Sequence, residues 1–300
     1  MTIDNKFQEF TNTDRIWAIG SLHSSIESFQ SIKKYILSNF QNGDKLIFLG
    51  NLIGYNNQSK EIITDVLSFR FNLMAKFNLD HEDVVFLRGA QEEMFSKLLQ
   101  LQIAPNPKEI IDWIFSHGVD QTLISYNFQP EQFRNIATQG TIQINKLTSK
   151  LNKKISETPG HKEFFSNLKH AAFSETMEVL FVNRGVDLSR PLSAQNDCFW
   201  WGYQNFSLIS KPYNTFKRIV RGYQSNKYNN LEYSKNRILC TLFKQPLENK
   251  KILAKQIGAL QLAEMLYRLE GLEPPNPEFF LSEDAIEKMR RSEEQDKKQP

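Results

Sequence analysis

Arg15-Ile-Trp-Ala-Ile-Gly20, Lys45-Leu-Ile-Phe-Leu-Gly50 and Val84-Val-Phe-Leu-Arg-Gly89 are three short apolar runs, each closed by a glycine and followed by a polar loop. The loops read Ser21-Leu-His-Ser24, Asn51-Leu-Ile-Gly54 and Ala90-Gln-Glu-Glu93. Between the runs lie segments of helical period. Ile26, Phe29, Ile32, Ile36 and Leu37 would face a sheet from one helix, and Ile62, Ile63, Val66, Leu67 and Phe71 from a second, Lys60 to Lys76. Uninterrupted apolar strands alternating with amphipathic helices predict an α/β fold around a parallel sheet buried on both faces. In such sheets ligands bind outside the carboxyl ends of the strands, so the three loops are expected to converge on the functional site.

Outward from this core, Met1 to Asp14 reads as a frayed arm, and Glu92 to Leu101 as the third helix. After Pro105 and Pro107, from Lys108 to about Ala172, the period is helical with no strand pattern. Sixty-odd residues of helix between two strands exceed an ordinary connection and predict an inserted helical subdomain, a lid or wall beside the loops. Strand character returns at Thr176 to Asn183, Phe216 to Gly222 and Ile238 to Phe243, and Lys255 to Leu269 reads as an amphipathic helix. The domain is thus expected to span 15–273, with 108–172 as its insert. A charged tail, 274–300, should be largely disordered.

Composition excludes some classes. With 300 residues at 40% hydrophobic content the chain can bury a proper core. It has no run of about 18 apolar residues, and its start is polar, so neither a membrane span nor a signal peptide is expected, and a cytoplasmic location is. Cys198 and Cys240 stand far apart without metal-ligand spacing and read as core thiols. A net charge of +3 does not by itself argue for nucleic acid or membrane.

Side by side, the frames Gly20-Ser21-Leu22-His23-Ser24, Gly50-Asn51-Leu52-Ile53-Gly54-Tyr55-Asn56 and Arg88-Gly89-Ala90-Gln91-Glu92 resemble the loops of the calcineurin-like metallophosphoesterases. Within that superfamily they look like the bacterial Ser/Thr protein phosphatase branch that includes diadenosine tetraphosphate hydrolase. The family pattern runs Gly-Asp-x-His-Gly, Gly-Asp-x-x-Asp-Arg-Gly, Gly-Asn-His-Glu, a strand ending His-Ala-Gly, then Gly-His. Phe181-Val-Asn183-Arg-Gly185 is similar to the fourth motif and Arg221-Gly222-Tyr223 to the fifth. The resemblance implies a metallophosphoesterase-like β-sandwich flanked by helices. It also implies a site for two divalent metals, such as manganese, about 3.5–4 Å apart.

At those positions the chemistry differs. Ser21 and Asn51 replace aspartates, Ala90 replaces an asparagine, and Asn183 and Tyr223 replace histidines, leaving His23 as the one strong ligand. Gln91 replaces the histidine that protonates the leaving group and has no proton to give near neutral pH. Tyr55 replaces the phosphate-gripping arginine, and Gly54 its neighbouring aspartate. Shifting the frames by one or two positions restores no ligand. Asp44 lies at the wrong end of its strand, and Asp187 falls four residues past Asn183. His23 reads as a lone ligand or, more simply, as a hydrogen-bonded histidine; Asn51 as a carbonyl ligand or, more simply, as a loop-to-loop hydrogen bond. Glu92 and Glu93 read as acids at a helix start. His161 and His170 read as surface residues.

The leading expectation is a phosphatase-like pseudoenzyme, with no metal and no catalytic residue, that binds through Ser21, His23, Asn51, Ala90, Asn183, Tyr223 and Arg221. A phosphorylated protein, a nucleotide or a partner chain would be held without turnover. One alternative is an active metal-dependent phosphoesterase with an atypical site at His23 and Asn51. A second is nucleic-acid binding through Lys211 to Arg237, where seven basic residues face one acid, with tyrosines interleaved. A solvated or phosphate-attracting rim is the simpler reading of that stretch.

Overall fold

Two sheets carry the strands. The computed structural model describes residues 5–176, 178–202, 209 and 212–222, with the backbone of 239–243 and 253–256. All of these lie in one unit, residues 1–256. The strands are β1 (Phe7–Glu9), β2 (Arg15–Ile19), β3 (Asp44–Phe48), β4 (Val84–Phe86), β5 (Ala171–Ser174), β6 (Val179–Val182), β7 (Arg218–Arg221), β8 (Leu239–Phe243) and β9 (Leu253–Gln256). One sheet has the order β4-β3-β2-β8, the other β1-β5-β6-β7-β9. β2, β3 and β4 run parallel, and β8 closes their sheet antiparallel to β2. In the second sheet only the β5–β6 pair is antiparallel. The chain is therefore a mixed α/β protein with two sheets and flanking helices.

Burial explains the three runs. Ile16 to Ile19 and Leu46 to Leu49 are each at most 1% exposed, so both faces of these strands are covered. Helices α1 (Ile26–Asn39) and α2 (Ser59–Phe77) supply much of the cover through Phe29, Ile32 and Ile36 and through Ile62, Val66, Phe69 and Leu73. The expectation for Phe71 is corrected: it is 65% exposed. The buried series 62, 66, 69, 73 follows the helical repeat, and a residue two places after Phe69 lies about 200° round the helix, facing out. At the amino ends of the strands Asp44 closes the sheet. Its carboxylate accepts Arg15 Nε at 2.9 Å, Trp17 Nε1 at 2.8 Å and the Gln41 amide at 2.8 Å, far from the loops.

The expected frayed arm is corrected in part. Phe7–Glu9 pairs in parallel with β5, and Phe10, 2% exposed, meets Phe181 edge-on. Backbone pairing with β5 and the burial of Phe10 fix the segment. The last helix expected, from Lys255, also differs. Lys255 and Gln256 end β9, paired with Val220 and Arg221, and the rest of that segment and the tail lie outside the described residues.

Between β4 and β5 the chain forms α3 (Ala90–Leu99), α4 (Pro107–Ser116), α5 (Asp120–Ser125), α6 (Pro130–Ile136), α7 (Thr141–Glu157) and α8 (His161–Ser166). α9 (Cys198–Trp201) follows β6, with Cys198, Phe199 and Trp200 buried. α5 is tied to α2 by buried hydroxyls: Ser59 Oγ lies 3.0 Å from Thr122 Oγ1, and the Lys60 amide donates to Ser125 Oγ. His161, expected on the surface, is fully buried. Its ring joins three helices. Thr64 donates its hydroxyl to Lys60 O, so Thr64 Oγ1 accepts from His161 Nε2–H at 3.1 Å, and Nδ1 accepts the Tyr126 hydroxyl at 2.6 Å. Burial, helped by Lys60, pushes the His161 pKa down to about 4. His170 is half-buried and stands edge-on to Trp200.

The sign of the resulting pH effect is fixed. An unfolded histidine titrates near 6.5, so on acidification the unfolded chain takes up this proton first, and stability falls from about pH 6.5 to pH 4. The loss approaches roughly 3 kcal/mol if the whole difference is realised. Urea unfolding between pH 7 and pH 4 should show this acid limb, and His161→Gln should flatten it. An unchanged slope in the variant would remove His161 as its source.

Candidate functional site

A buried acid sets the geometry at the carboxyl ends of β2, β3 and β4. Glu92, 1% exposed, points back from the first turn of α3 into the loop after β3. Its Oε2 accepts the amides of Asn51 and Gly89, each at 2.9 Å, and its Oε1 accepts those of Leu52 at 2.7 Å and Ile53 at 3.3 Å. Burial pushes its pKa up, and the backbone N–H groups oppose that shift. Four donors leave neither oxygen a partner for a carboxyl proton, so the ionised form matches the site.

The loops then interlock. The amides of Leu22 and His23 donate to Asn51 O, and that of Ser24 to Leu52 O. Ser21 N and Oγ both donate to Gly222 O at 3.1 Å, and Asn183 Nδ2 donates to Leu49 O at 2.7 Å, which brings the second sheet to the same place. Two glycines permit the approach. A Cβ on Gly50, whose φ is +83°, would lie 2.7 Å from Gly89 N, and one on Gly89 would lie 2.4 Å from Asn51 N and Oδ1. His23, Ser24, Asn51 and Tyr55 also adopt left-handed backbone, with φ from 47° to 62°. Each such non-glycine costs about 1–2 kcal/mol, held here by the surrounding bonds.

Above the loops lies a cavity of about 150 Å³, lined by His23, Asn51, Tyr55, Ala90 and Gln91, by Met94, Trp113 and His117 from α3 and α4 and the residue after it, and by Arg184 and Trp201. The helical segment is bonded to it directly. Gln91 Nε2 donates to His117 O at 2.8 Å, and the Tyr55 amide to Gly118 O at 2.9 Å. Asn56 Nδ2 holds His23 O at 2.7 Å.

The residues singled out in the sequence divide into two groups. His23, Asn51, Tyr55, Ala90 and Gln91 line the cavity, whereas Ser21, Asn183 and Arg221 brace its floor and the neighbouring sheet without lining it. Tyr223 lies outside the described residues. Arg184, Trp113, His117 and Trp201 were not read as site residues. Arg184 directly follows Asn183 in the fourth frame, a position that could have signalled it. Of the basic stretch, Lys211, Lys227, Lys235 and Arg237 lie outside the described residues, Lys217 pairs with Glu178 at 2.9 Å, and Arg221 is 9% exposed.

The donor set does not fit two divalent cations. Asn51, at the bridging position of the resemblance, gives Nδ2 to Ser21 Oγ at 3.2 Å and accepts the Gln91 amide on Oδ1 at 3.0 Å. Among the described residues the lining contains no carboxylate and does include Arg184, so none of them offsets the lost hydration of such ions. Among the described residues no group of three or more His, Cys, Asp or Glu is placed to hold a metal. None of the helices among the described residues is long and apolar enough to cross a membrane.

Fold and site together define a mixed α/β protein with a crevice at the carboxyl ends of its strands. No family model and no curated protein matches the sequence. Among solved structures, a candidate diadenosine tetraphosphatase is 13% identical, over 79% of this chain and 92% of its own, with a TM-score of 0.40. A Saccharomyces cerevisiae serine/threonine phosphatase with similarity to human phosphatase PP5 is 13% identical over 73% and 54% of the two chains, with a TM-score of 0.33. A Sphaerobacter thermophilus metallophosphoesterase is 14% identical over 70% and 60%, with a TM-score of 0.34.

Glu92 yields a direct expectation. Glu92→Gln sets an amide donor against backbone donors and should cost about 3–5 kcal/mol in chemical denaturation, or abolish folding. Glu93→Gln, on the same turn but half-buried and paired with Arg88 and Lys97, leaves no backbone donor without an acceptor and should cost less, about 1–2 kcal/mol. Equal losses would show that the buried carboxylate does not hold the loops.

Proposed function

We propose that this chain is a phosphoesterase-like protein that binds at its crevice and does not hydrolyse. The observation that carries the reading is the use made of Asn51. Both polar ends of its carboxamide are spent on neighbouring loops, at the position where the resembled family places its bridging carboxylate. Around it, Ser21 bonds Gly222 O, Asn183 bonds Leu49 O and Gln91 bonds His117 O, so these neutral side chains are each tied to a backbone carbonyl of a neighbouring segment. Gln91 offers no titrating proton for a leaving group. What such a site does with a phosphorylated protein, a nucleotide or a partner chain is hold it.

The test is elemental analysis of protein purified without chelator, beside p-nitrophenyl phosphate turnover with added manganese. The expected result is no stoichiometric metal and no release above buffer. Two metals per chain with turnover abolished by His23→Ala would replace this reading with that of an active phosphoesterase.

A further inference from the structure

α7 has two faces of opposite character. Ile144, Thr148, Leu151 and Ile155 are buried, and the helix packs on α3 and on the turn Leu101–Ile103. Away from that contact Lys146, Lys150 and Lys153 are exposed, with Lys154 half-buried beside them. The helical repeat gathers these four within about 100° of helix surface and about 12 Å of axis. Against them the helix carries one acid, Glu157, an excess equal to the net charge of the whole chain, +3.

The stripe does not serve the helix itself. Lys146 and Lys150, and Lys150 and Lys154, are like charges four residues apart, which repel. A helix end favours cations in its last turn, and Lys146 and Lys150 precede that turn. Lys153 lies 3.8 Å from Glu157, both well exposed, so water screens the pair. Lys146, Lys150 and Lys154 form no ion pair among the described residues.

The neighbours of the lysines distinguish among anionic partners. Asn145, Ser149 and Asn152 are exposed on the same side of the helix. Lysine with serine, asparagine and glutamine is the set that contacts phosphates in nucleic-acid complexes, whereas lysine and serine are depleted where proteins meet proteins. An anionic lipid surface takes up a helix by its apolar face. That face of α7 is turned into the fold, and Ile142, 73% exposed, is the one large apolar side chain exposed on the helix. A duplex presents the densest line of phosphates, one charge per about 1.7 Å of its axis.

We propose that the exposed face of α7 binds the phosphate backbone of a nucleic-acid duplex, without reading its sequence, through Lys146, Lys150, Lys153 and Lys154. No residue of α7 lines the cavity at the crevice, so the proposal is independent of the reading of that site. It is also distinct from the stretch Lys211 to Arg237, where Lys217 is paired with Glu178 and Arg221 is buried.

The test titrates labelled DNA duplexes of two unrelated sequences with the full chain, followed by fluorescence anisotropy at several salt concentrations. Both duplexes should bind alike. Four neutralised phosphates predict a slope of log K against log salt of about −3 to −4, a loss of roughly 100-fold between about 50 and 200 mM. The combined variant Lys146→Gln, Lys150→Gln, Lys153→Gln and Lys154→Gln, shown by melting to be folded, should lose at least about tenfold in affinity and most of the slope. Lys146→Gln and Lys150→Gln alone should each reduce the slope by about 1, which keeps the test open if the combined variant does not fold. Lys217→Gln with Arg218→Gln should change neither quantity. Polyglutamate, whose charges are sparser, should bind at least about tenfold more weakly than the duplex. No binding at low salt, undiminished binding by folded α7 variants, or binding of polyglutamate or phosphatidylserine vesicles as tight as that of the duplex would overturn the proposal.

Discussion

The carboxylate of Glu92 is the constraint on which the crevice depends. Two loops, after β3 and β4, turn four backbone N–H groups toward one buried point, and in a place without water those groups must find an acceptor. A single ionised side chain on the first turn of α3 meets all four, in the electrostatic field that a helix start favours for acids. With the loop after β3 fixed, Asn51 O becomes an acceptor in a set place, and the amides of Leu22 and His23 dock on it. The left-handed residues of the loops can be sustained because this chain of bonds over-determines them.

The same loops anchor the helical segment, which makes it a wall of the site. Gln91 reaches His117 O, Tyr55 N reaches Gly118 O, and Ser59 reaches Thr122, so bonds leave three points of the loops for α4 and α5 and the turn between them. Behind them, the His161 ring couples α8 to α2 and α5 through Thr64 and Tyr126. A helix set that is pinned at several places holds its aromatic residues at fixed distances from the strand ends, which a free lid would not.

Much of this was legible in the sequence, for physical reasons. The three glycine-ended runs announced buried parallel strands because only fully covered strands are apolar on both faces. The convergence of their loops followed from strand direction. Other features were hidden because they depend on partners remote in sequence. Glu92 looked like an ordinary acid at a helix start until the turn of the loop after β3 aimed its amides at it. His161 looked like a surface residue beside Lys162 and Glu163, yet its ring faces inward to Tyr126, 35 residues away. Phe7–Glu9 found a partner in Ala171–Phe173, across more than 160 residues, which no local pattern could indicate. Phe71 was placed inward because it is apolar, although helical phase turns it out. Arg184 and Trp201 reach the cavity only because α9 folds back, with the Arg184 amide bonded to Phe199 O at 2.7 Å.

The bonding of the loop residues has an energetic logic of its own. In a site built for divalent ions, clustered carboxylates are held in repulsion that the metal offsets, and replacing single acids leaves the remaining charges uncompensated. Here Asn51 bonds Ser21 Oγ and the Gln91 backbone N–H, and the buried Glu92 is turned to backbone amides that would otherwise lack acceptors. Such an arrangement holds together without an ion.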